Sequence, residues 1–185
     1  VKFDSNKVLI VEGTLVAQGT SSNQITFTSS AASPAAGDRA YISFGNSSTG
    51  TTFDGAGDYA SGSILEYCRV EYGGSAGSAV SGVPYINSCT FTNNGGGSSG
   101  GVVGAYRWSS SKGSNSEPVK ITNSTFTQND AVGIYNAANA TITGNTITGD
   151  DSHGAGIYAK GSSALSLSNC DVNENAIVGE NAAGG

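Results

Sequence analysis

The sequence has few charged residues and no long apolar segment. Charged residues make up 12% of the 185 positions, with 14 Asp and Glu against 8 Lys and Arg, which gives a formal net charge of −6. This acidic balance argues against nucleic acid or an anionic membrane as a partner, because both carry negative charge. No run of 18 apolar residues occurs, so no segment is predicted to insert into a membrane.

Glycine, serine, threonine and asparagine take the place of the missing charges. Such a composition suits a stack of similar coils, in which like charges in neighbouring strands would repel one another. An acidic chain that is poor in lysine and rich in Thr and Asn is also typical of extracellular solenoids. We therefore expect an extracellular or cell-surface location.

A ten-residue phrase recurs five times, starting at residues 64, 85, 120, 141 and 166. A repeat of this kind determines the architecture before any single residue is weighed. Three positions of the phrase keep their character in every copy: the second and seventh are apolar, and the fifth is small or compact. These positions hold Leu65, Ile86, Ile121, Ile142 and Leu167; Val70, Phe91, Phe126, Ile147 and Val172; and Cys68, Cys89, Ser124, Asn145 and Cys170.

The phrase predicts two short strands joined by a corner. Positions five and seven alternate with polar neighbours, as in a strand with one buried face. Positions two and five differ in parity, so a corner must lie between them. Position four holds residues that tolerate turns, and position ten holds turn formers again. These residues are Ser88, Asn123, Gly144 and Asn169 at position four, and Gly73, Asn94, Asn129, Asp150 and Asn175 at position ten.

A third apolar patch follows each phrase, at 79–80, 102–103, 133–134, 156–157 and 177–178. Three strands per repeat with insertions of variable length indicate a solenoid, whose coils must stack because one coil cannot bury its own apolar face. Shorter strand patterns at 8–11, 14–17, 25–28 and 41–44 extend it, and 29–40 and 45–63 are longer polar insertions. We expect an all-β parallel solenoid of about seven coils, roughly 30–35 Å long at the usual strand spacing.

The segments 11–30, 41–44 (YISF) and 63–74 (SILEYCRVEYGG) resemble the repeats of the right-handed parallel β-helix of the pectate-lyase-like superfamily. They are most similar to the repeat modules of large secreted or surface-attached microbial proteins. The resemblance covers nearly the whole chain and concerns the fold, because such modules carry many functions. Residues 1–185 are expected to form one β-helix domain, as a fragment or module of a longer protein or as a filament subunit.

Asp150, Asp151 and His153 form the sharpest catalytic candidate, in the segment 149–156. Paired carboxylates can divide the general-acid and general-base roles of glycoside hydrolysis. The segment resembles the Asp-Asp pair and Gly-His-Gly of polygalacturonases, although these motifs are fused here and no Arg-x-Lys follows. The competing interpretation is a polar loop at a corner. Calcium-dependent lyases need a cluster of acidic ligands; the sequence shows none, and we expect no metal or cofactor.

Threonine columns suggest a second function. Three consecutive phrases contain Thr-x-Thr pairs, and Thr26-Phe27-Thr28 is a further candidate pair. A regular array of outward threonines resembles the ice-binding face of antifreeze β-solenoids, yet Thr is also favoured on any exposed strand. Arg69 and Glu71 interrupt the array on one side, and Asp171 and Asn173 on the other. The six ice-binding candidates are Thr90, Thr92, Thr125, Thr127, Thr146 and Thr148.

Four aromatic residues are the candidate ligand-binding positions. Tyr106 and the single tryptophan, Trp108, lie in the longest insertion between phrases. Tyr135 and Tyr158 each follow an inward isoleucine, so we expect them to face outward one coil apart. Aromatic rings on polar loops are suited to stacking on sugars or contacting a partner. The alternative is that Trp108 covers a coil edge and that the two tyrosines form an ordinary aromatic ladder.

Cys68 and Cys89 occupy the same column in adjacent coils, within the Cα separation that a disulfide tolerates. Parallel side-chain directions are unfavourable for such a bridge, and two buried thiols acting as small hydrophobes are the alternative. Cys170 lies three coils further on and is out of reach. Cys68–Cys89 therefore remains a candidate disulfide.

Taken together, these patterns predict a non-catalytic extracellular module with a structural or adhesive role: a rod, a stalk or a filament subunit. Aromatic loops would bind polysaccharide or other cell-surface components, and open solenoid ends would permit end-to-end self-association. Two alternatives remain, a polysaccharide lyase or glycoside hydrolase and an ice-binding protein.

Overall fold

The structure is a computed structural model. It describes residues 1–39, 41–75, 77–82, 84–95, 101–104, 119–129, 134–135, 140–148, 157–160, 166–173 and 177–180. Within these ranges, the side chains of residues 135, 158–160, 171–173 and 177–180 are not described. All regular structure in the described residues is β, and none of them forms a helix that is long and apolar enough to cross a membrane.

The strands are short, at two to five residues each. The first eleven are β1 (Lys2–Phe3), β2 (Leu9–Val11), β3 (Val16–Gln18), β4 (Ile25–Ser29), β5 (Ile42–Phe44), β6 (Thr52–Phe53), β7 (Tyr59–Ser61), β8 (Ile64–Glu66), β9 (Cys68–Glu71), β10 (Val80–Ser81) and β11 (Tyr85–Asn87). The remaining eleven are β12 (Thr90–Thr92), β13 (Val103–Gly104), β14 (Val119–Thr122), β15 (Thr125–Thr127), β16 (Ile134–Tyr135), β17 (Ala140–Thr143), β18 (Thr146–Thr148), β19 (Ile157–Lys160), β20 (Ser166–Ser168), β21 (Asp171–Asn173) and β22 (Ile177–Glu180).

Three parallel sheets form the three faces of a solenoid, which confirms the predicted architecture. Sheet 1 carries phrase positions one to three in the order β3-β8-β11-β14-β17-β20. Sheet 2 carries positions six to eight in the order β1-β4-β9-β12-β15-β18-β21, and sheet 3 carries the third strand of each coil in the order β2-β5-β10-β13-β16-β19-β22. Seven strands in two sheets and six in the third agree with the expected seven coils.

The corner between sheets 1 and 2 lies at phrase position four, as parity predicted. All five residues there adopt a left-handed backbone, including the bulky Tyr67 at φ 46°. A second left-handed residue stands at position nine, between sheets 2 and 3, in Tyr72, Asn93 and Gln128. Residues other than glycine are destabilised in this conformation, so the stacking of neighbouring coils must hold them there.

Position ten was predicted to hold turn formers, and this prediction was wrong for Asn94 and Asn129. Asn94 is fully buried and Asn129 is 4% exposed, because the turn is made one residue earlier. The Asn94 side-chain oxygen accepts from the Gly73 backbone N–H at 2.9 Å, and its Nδ2 donates to the Val70 carbonyl at 2.9 Å. Asn129 repeats this role toward Asn94 and Phe91. Gly73, Asn94 and Asn129 therefore form an inner asparagine ladder.

Position five forms a second inner ladder. The Cys68 N–H donates to the Cys89 sulfur at 3.4 Å, the Cys89 N–H to Ser124 Oγ at 3.1 Å, and the Ser124 N–H to Asn145 Oδ1 at 2.8 Å. Cysteine, serine and asparagine are interchangeable here because each is compact and can accept a backbone hydrogen bond. The small residues of this column therefore satisfy the backbone at the corner.

The Cys68–Cys89 bridge proposed from the sequence is absent, since both residues are buried free thiols. Their side chains take part in the position-five ladder, and the Cys89 thiol donates to the Leu65 carbonyl at 3.3 Å. Burial raises the pKa of the Cys89 thiol well above its usual value, which keeps it protonated. The alternative of two buried thiols is therefore the one that the structure shows.

Apolar columns fill the interior between the sheets. Positions two and seven are fully buried from Leu65 to Ile147, and sheet 3 adds its own column. Phe91 and Phe126 stack with ring centroids 4.7 Å apart and an interplanar angle of 6°. Each buried side chain of this size contributes about 1.5–3 kcal/mol relative to an exposed one. Sheet 3 contributes Ile42, Val80, Val103, Ile134 and Ile157.

We predict that Asn94→Ala lowers the free energy of unfolding by about 3 kcal/mol, because buried backbone groups of Gly73, Val70 and Thr92 each lose a hydrogen bond. Urea denaturation followed by circular dichroism measures this. Asn23→Ala is the control, since Asn23 is exposed and only its backbone bonds Thr20. A loss no greater than the control's would show that the asparagine ladder does not stabilise the solenoid.

Candidate functional site

Five of the residues proposed from the sequence lie outside the described residues. They are the catalytic candidates Asp150, Asp151 and His153 and the ligand-binding candidates Tyr106 and Trp108. Within the described part of the chain, no group of three or more His, Cys, Asp or Glu is placed to hold a metal ion. The predictions for these five residues therefore remain predictions.

Tyr135 and Tyr158 occupy paired backbone positions in sheet 3. Tyr135 in β16 is in register with Tyr158 in β19, next to the paired and buried Ile134 and Ile157. The predicted spacing of one coil between the two tyrosines is confirmed. Their role in binding a ligand remains a prediction.

The threonine columns lie in register on sheet 2. Thr90, Thr125 and Thr146 stand in one column, and Thr92, Thr127 and Thr148 in the other. All are partly buried except Thr92, which is 3% exposed and whose Oγ1 accepts from the Asn93 side chain at 3.3 Å. The expectation that all six face water is therefore wrong for Thr92.

The Arg69–Glu71 pair ends these columns on the N-terminal side. Arg69 pairs with Thr90 and Glu71 with Thr92 in the sheet register. Arg69 Nε donates to the Glu71 carboxylate at 2.6 Å, and Thr28 donates to the same carboxylate at 2.8 Å. The acidic group therefore holds two neighbouring coils together on this face.

A cluster of aromatic side chains lies on the outer surface of sheet 1. The insertion 45–63, predicted to be a polar insertion, contains an antiparallel hairpin of β6 and β7. Phe53 from this hairpin meets the ring of Tyr85 edge-on at 5.3 Å, and Tyr59 stacks on Tyr85 at 6.5 Å with an angle of 23°. The hairpin therefore folds over β11, the strand that carries Tyr85.

Lys120 fastens this hairpin to the neighbouring coil. Its Nζ lies 4.6 Å from the centroid of the Phe53 ring and 5.4 Å from that of Tyr85, and it donates to the Gly57 carbonyl at 2.6 Å. A cation over aromatic rings stabilises by about 0.5–1 kcal/mol at exposed sites and by more when desolvated. One lysine thus joins the hairpin tip, its aromatic side and β14.

The hairpin turn is organised by Asp54. Its Oδ1 accepts from the backbone N–H groups of Ala56 and Asp58, both at 2.9 Å. These bonds to the charged form lower the pKa of the Asp54 carboxyl below its usual value. The turn is therefore held by an ionised carboxylate at neutral pH.

A row of polar side chains runs beside the aromatic cluster along position three of sheet 1. Glu66 accepts from the side chains of Gln18 at 2.9 Å and Asn87 at 2.7 Å. Asn87 in turn accepts from Thr122 at 2.8 Å, and Tyr85 Oη lies 3.0 Å from Thr122 Oγ1. The row connects four successive coils and meets the aromatic cluster at Tyr85.

We define the sheet 1 face as Phe53, Tyr59, Tyr85 and Lys120 together with this polar row. Half-buried rings beside amide, hydroxyl and carboxylate groups can stack on a sugar ring and bond its hydroxyls. Sequence reasoning missed the face because Phe53 and Tyr59 stand outside the repeated phrase. The signal was available in Thr52-Phe53 and Tyr59-Ala60-Ser61, two short strand patterns around an Asp-Gly turn.

We predict that Lys120→Gln loosens the hairpin while the solenoid stays folded. Without the ammonium group, the bonded amides of Gly57 and Asp58 should exchange with deuterium about tenfold faster, which corresponds to about 1.4 kcal/mol. Lys7→Gln, at an exposed lysine, is the control. Exchange at wild-type rates in the Lys120 variant would show that the lysine does not hold the hairpin.

Comparison with known proteins concerns the C-terminal part of the chain. Residues 104–183 match the family model described as the right handed beta helix region. No curated protein and no solved structure matches the sequence. The family match and the three parallel sheets agree on one architecture.

Proposed function

From the premise that this chain is a right-handed parallel β-helix, we propose that it is a structural module of an extracellular or cell-surface protein. In this role the solenoid is a stiff rod that holds its insertions at fixed positions along its axis. The observation that carries the proposal is the use of polar side chains between coils. Two inner ladders and the polar row of sheet 1 each connect several coils in succession.

The carboxylates on the coil faces support the same role. Glu66 on sheet 1 and Glu71 on sheet 2 each accept hydrogen bonds from side chains of a neighbouring coil. Hydrogen bonds to charged groups are the stronger ones, at about 1.5–3 kcal/mol when buried and less on a partly exposed surface. These two carboxylates are therefore placed where they join coils.

The proposed location rests on composition. The chain is acidic and rich in glycine, serine, threonine and asparagine. Adhesion would come from insertions at the corners between sheets, where residues can be added without breaking the strand register.

The mechanical role is tested by pulling the chain between its two termini in an optical trap. We expect the length to stay nearly constant until an abrupt rupture. The reason is that the hydrogen bonds of the inner ladders and of the sheets join successive coils along the axis of the solenoid. Asn94→Ala should rupture at lower force than wild type, and Asn23→Ala at the wild-type force. Gradual extension at low force in the wild-type chain would contradict a structural role.

Polysaccharide binding at the sheet 1 face is the second function that we propose. The observation that favours it is the meeting of the Tyr59 and Tyr85 rings with a row of hydrogen-bonding groups. Asp54, Asp58 and Glu66 stand on or beside this face, and Lys120 is the cation that the described residues place there, which favours a neutral glycan over a polyuronide.

Affinity electrophoresis in gels that contain neutral or acidic polysaccharides tests this binding. We expect retardation by a neutral polysaccharide, and Tyr59→Ala should weaken it roughly fivefold because one aromatic contact of about 1 kcal/mol is lost. Tyr41→Ala is the control, at a tyrosine outside the sheet 1 face. Equal retardation of both variants would place any binding elsewhere, and retardation only by polyuronides would contradict the charge argument.

A further inference from the structure

Arg39 is a fully buried cation at the corner between sheets 2 and 3. Its Nε donates to the Glu71 carbonyl at 2.9 Å, whereas Nη1 and Nη2 have no hydrogen-bond partner among the described residues. Burial lowers the pKa of the guanidinium to about 10, with Glu71 acting in the opposite direction. The side chain therefore keeps its positive charge at neutral pH.

The guanidinium stands where the asparagine ladder reaches Gly73. A Cβ on Gly73 would lie 2.8 Å from both Arg39 Cζ and Nη2, so the glycine makes room for the arginine. In the next coil, Asn94 Nδ2 donates to the carbonyl of Thr92, the counterpart of Glu71. Arg39 Nε thus replaces the donor that an asparagine at residue 73 would supply, and it adds a charge that asparagine lacks.

No described carboxylate forms an ion pair with this guanidinium, although the charge of Glu71 partly offsets the cost of its burial. The Glu71 carboxylate is engaged by Arg69 and Thr28 on the outer surface, and the Asp38 carboxylate accepts from Ser29 and Ala35. The one ion pair among the described residues is Arg69–Glu71. The undescribed residues nearest in sequence to this corner, Ala40, Ala76 and 96–100, include no acid. A buried cation without a counterion carries a large desolvation cost.

Ser78 supplies a second unused donor at the same corner. Its hydroxyl is buried and unpartnered among the described residues. It precedes Ala79, whose methyl lies 2.9 Å from the same Gly73 Cβ point that the guanidinium approaches. Gly77, immediately before Ser78, is half-exposed and has open space around its own Cβ point. The corner therefore combines three unused hydrogen-bond donors with a neighbouring glycine that is partly exposed.

We propose that Arg39 and Ser78 bind a small inorganic anion of the size of chloride inside this corner. The anion would accept hydrogen bonds from Nη1, Nη2 and the Ser78 hydroxyl and would neutralise the guanidinium. A water molecule has only two lone pairs for these three donors, and it could not balance the charge. The Phe3 ring, 5.4 Å from Arg39 Cζ, and the Gly73 backbone pack against the guanidinium, which favours a small anion over a bulky organic one.

Crystals grown without chloride and soaked in bromide give the direct test. Bromide scatters anomalously, and we expect a peak within hydrogen-bond distance of Arg39 Nη1 or Nη2 and of Ser78 Oγ. Peaks confined to exposed lysines, with none at this corner, would overturn the proposal.

A solution test uses the melting temperature at constant ionic strength while chloride replaces gluconate, which is too large for the corner. An anion that binds only the folded state raises the melting temperature with the logarithm of its concentration. We expect this rise in wild type and in Lys7→Gln, whose lysine is exposed, and its loss in Arg39→Gln.

Ser78→Ala keeps the test decisive if Arg39→Gln does not fold. This variant retains the charge and loses one donor, so chloride should act at roughly tenfold higher concentration than in wild type. The same chloride dependence in wild type and Ser78→Ala, together with an empty corner in the bromide crystal, would make Arg39 a purely structural substitute for a ladder asparagine.

Discussion

Each coil must match its neighbour residue by residue at a strand spacing of about 4.8 Å, and the whole molecule depends on this constraint. Parallel pairing in register places equivalent phrase positions in columns, so each side chain lies beside the side chain at the same position of the next coil. Apolar columns gain from this arrangement by stacking. Columns of like charge would repel, which explains why charge is scarce, and the one ion pair of the described residues, Arg69–Glu71, joins opposite signs.

The same constraint decides where chemistry can be added. Strand positions are fixed by their neighbours above and below, whereas the corners accept insertions of different length. The β6–β7 hairpin enters at a corner and then folds over sheet 1, where Lys120 and Tyr85 hold it. The Arg39 segment also enters at a corner, but its side chain points inward. Both candidate sites therefore combine one corner insertion with regular strand positions.

Much of the fold could be predicted from the columns alone. Parity placed a corner at position four, and the left-handed residues from Tyr67 to Asn169 stand there. Position ten was misassigned because asparagine is favoured both at left-handed turns and in buried ladders, and composition does not separate these roles. The decisive difference is that the preceding residue, such as Asn93, makes the turn and leaves Asn94 facing inward.

The sites were less predictable because they depend on residues without counterparts in other coils. Phe53 and Tyr59 belong to one insertion, and no column indicates that they meet Tyr85. Arg39 resembles an ordinary loop arginine until its contact with Gly73 is known. A repeat predicts what its members share, whereas both sites arise from departures from the repeat.

The inner ladders also have a direction. The Asn94 side chain bonds to Gly73 and Val70 of the preceding coil, Asn145 bonds to Ser124 and Ile121, and Cys89 bonds to Cys68 in the same sense. Each of these coils therefore satisfies its buried backbone groups only after the following coil has been laid down. During synthesis from the N-terminus, each coil would become stable only once the next coil had formed. Every new coil would then complete the hydrogen bonds of the coil before it.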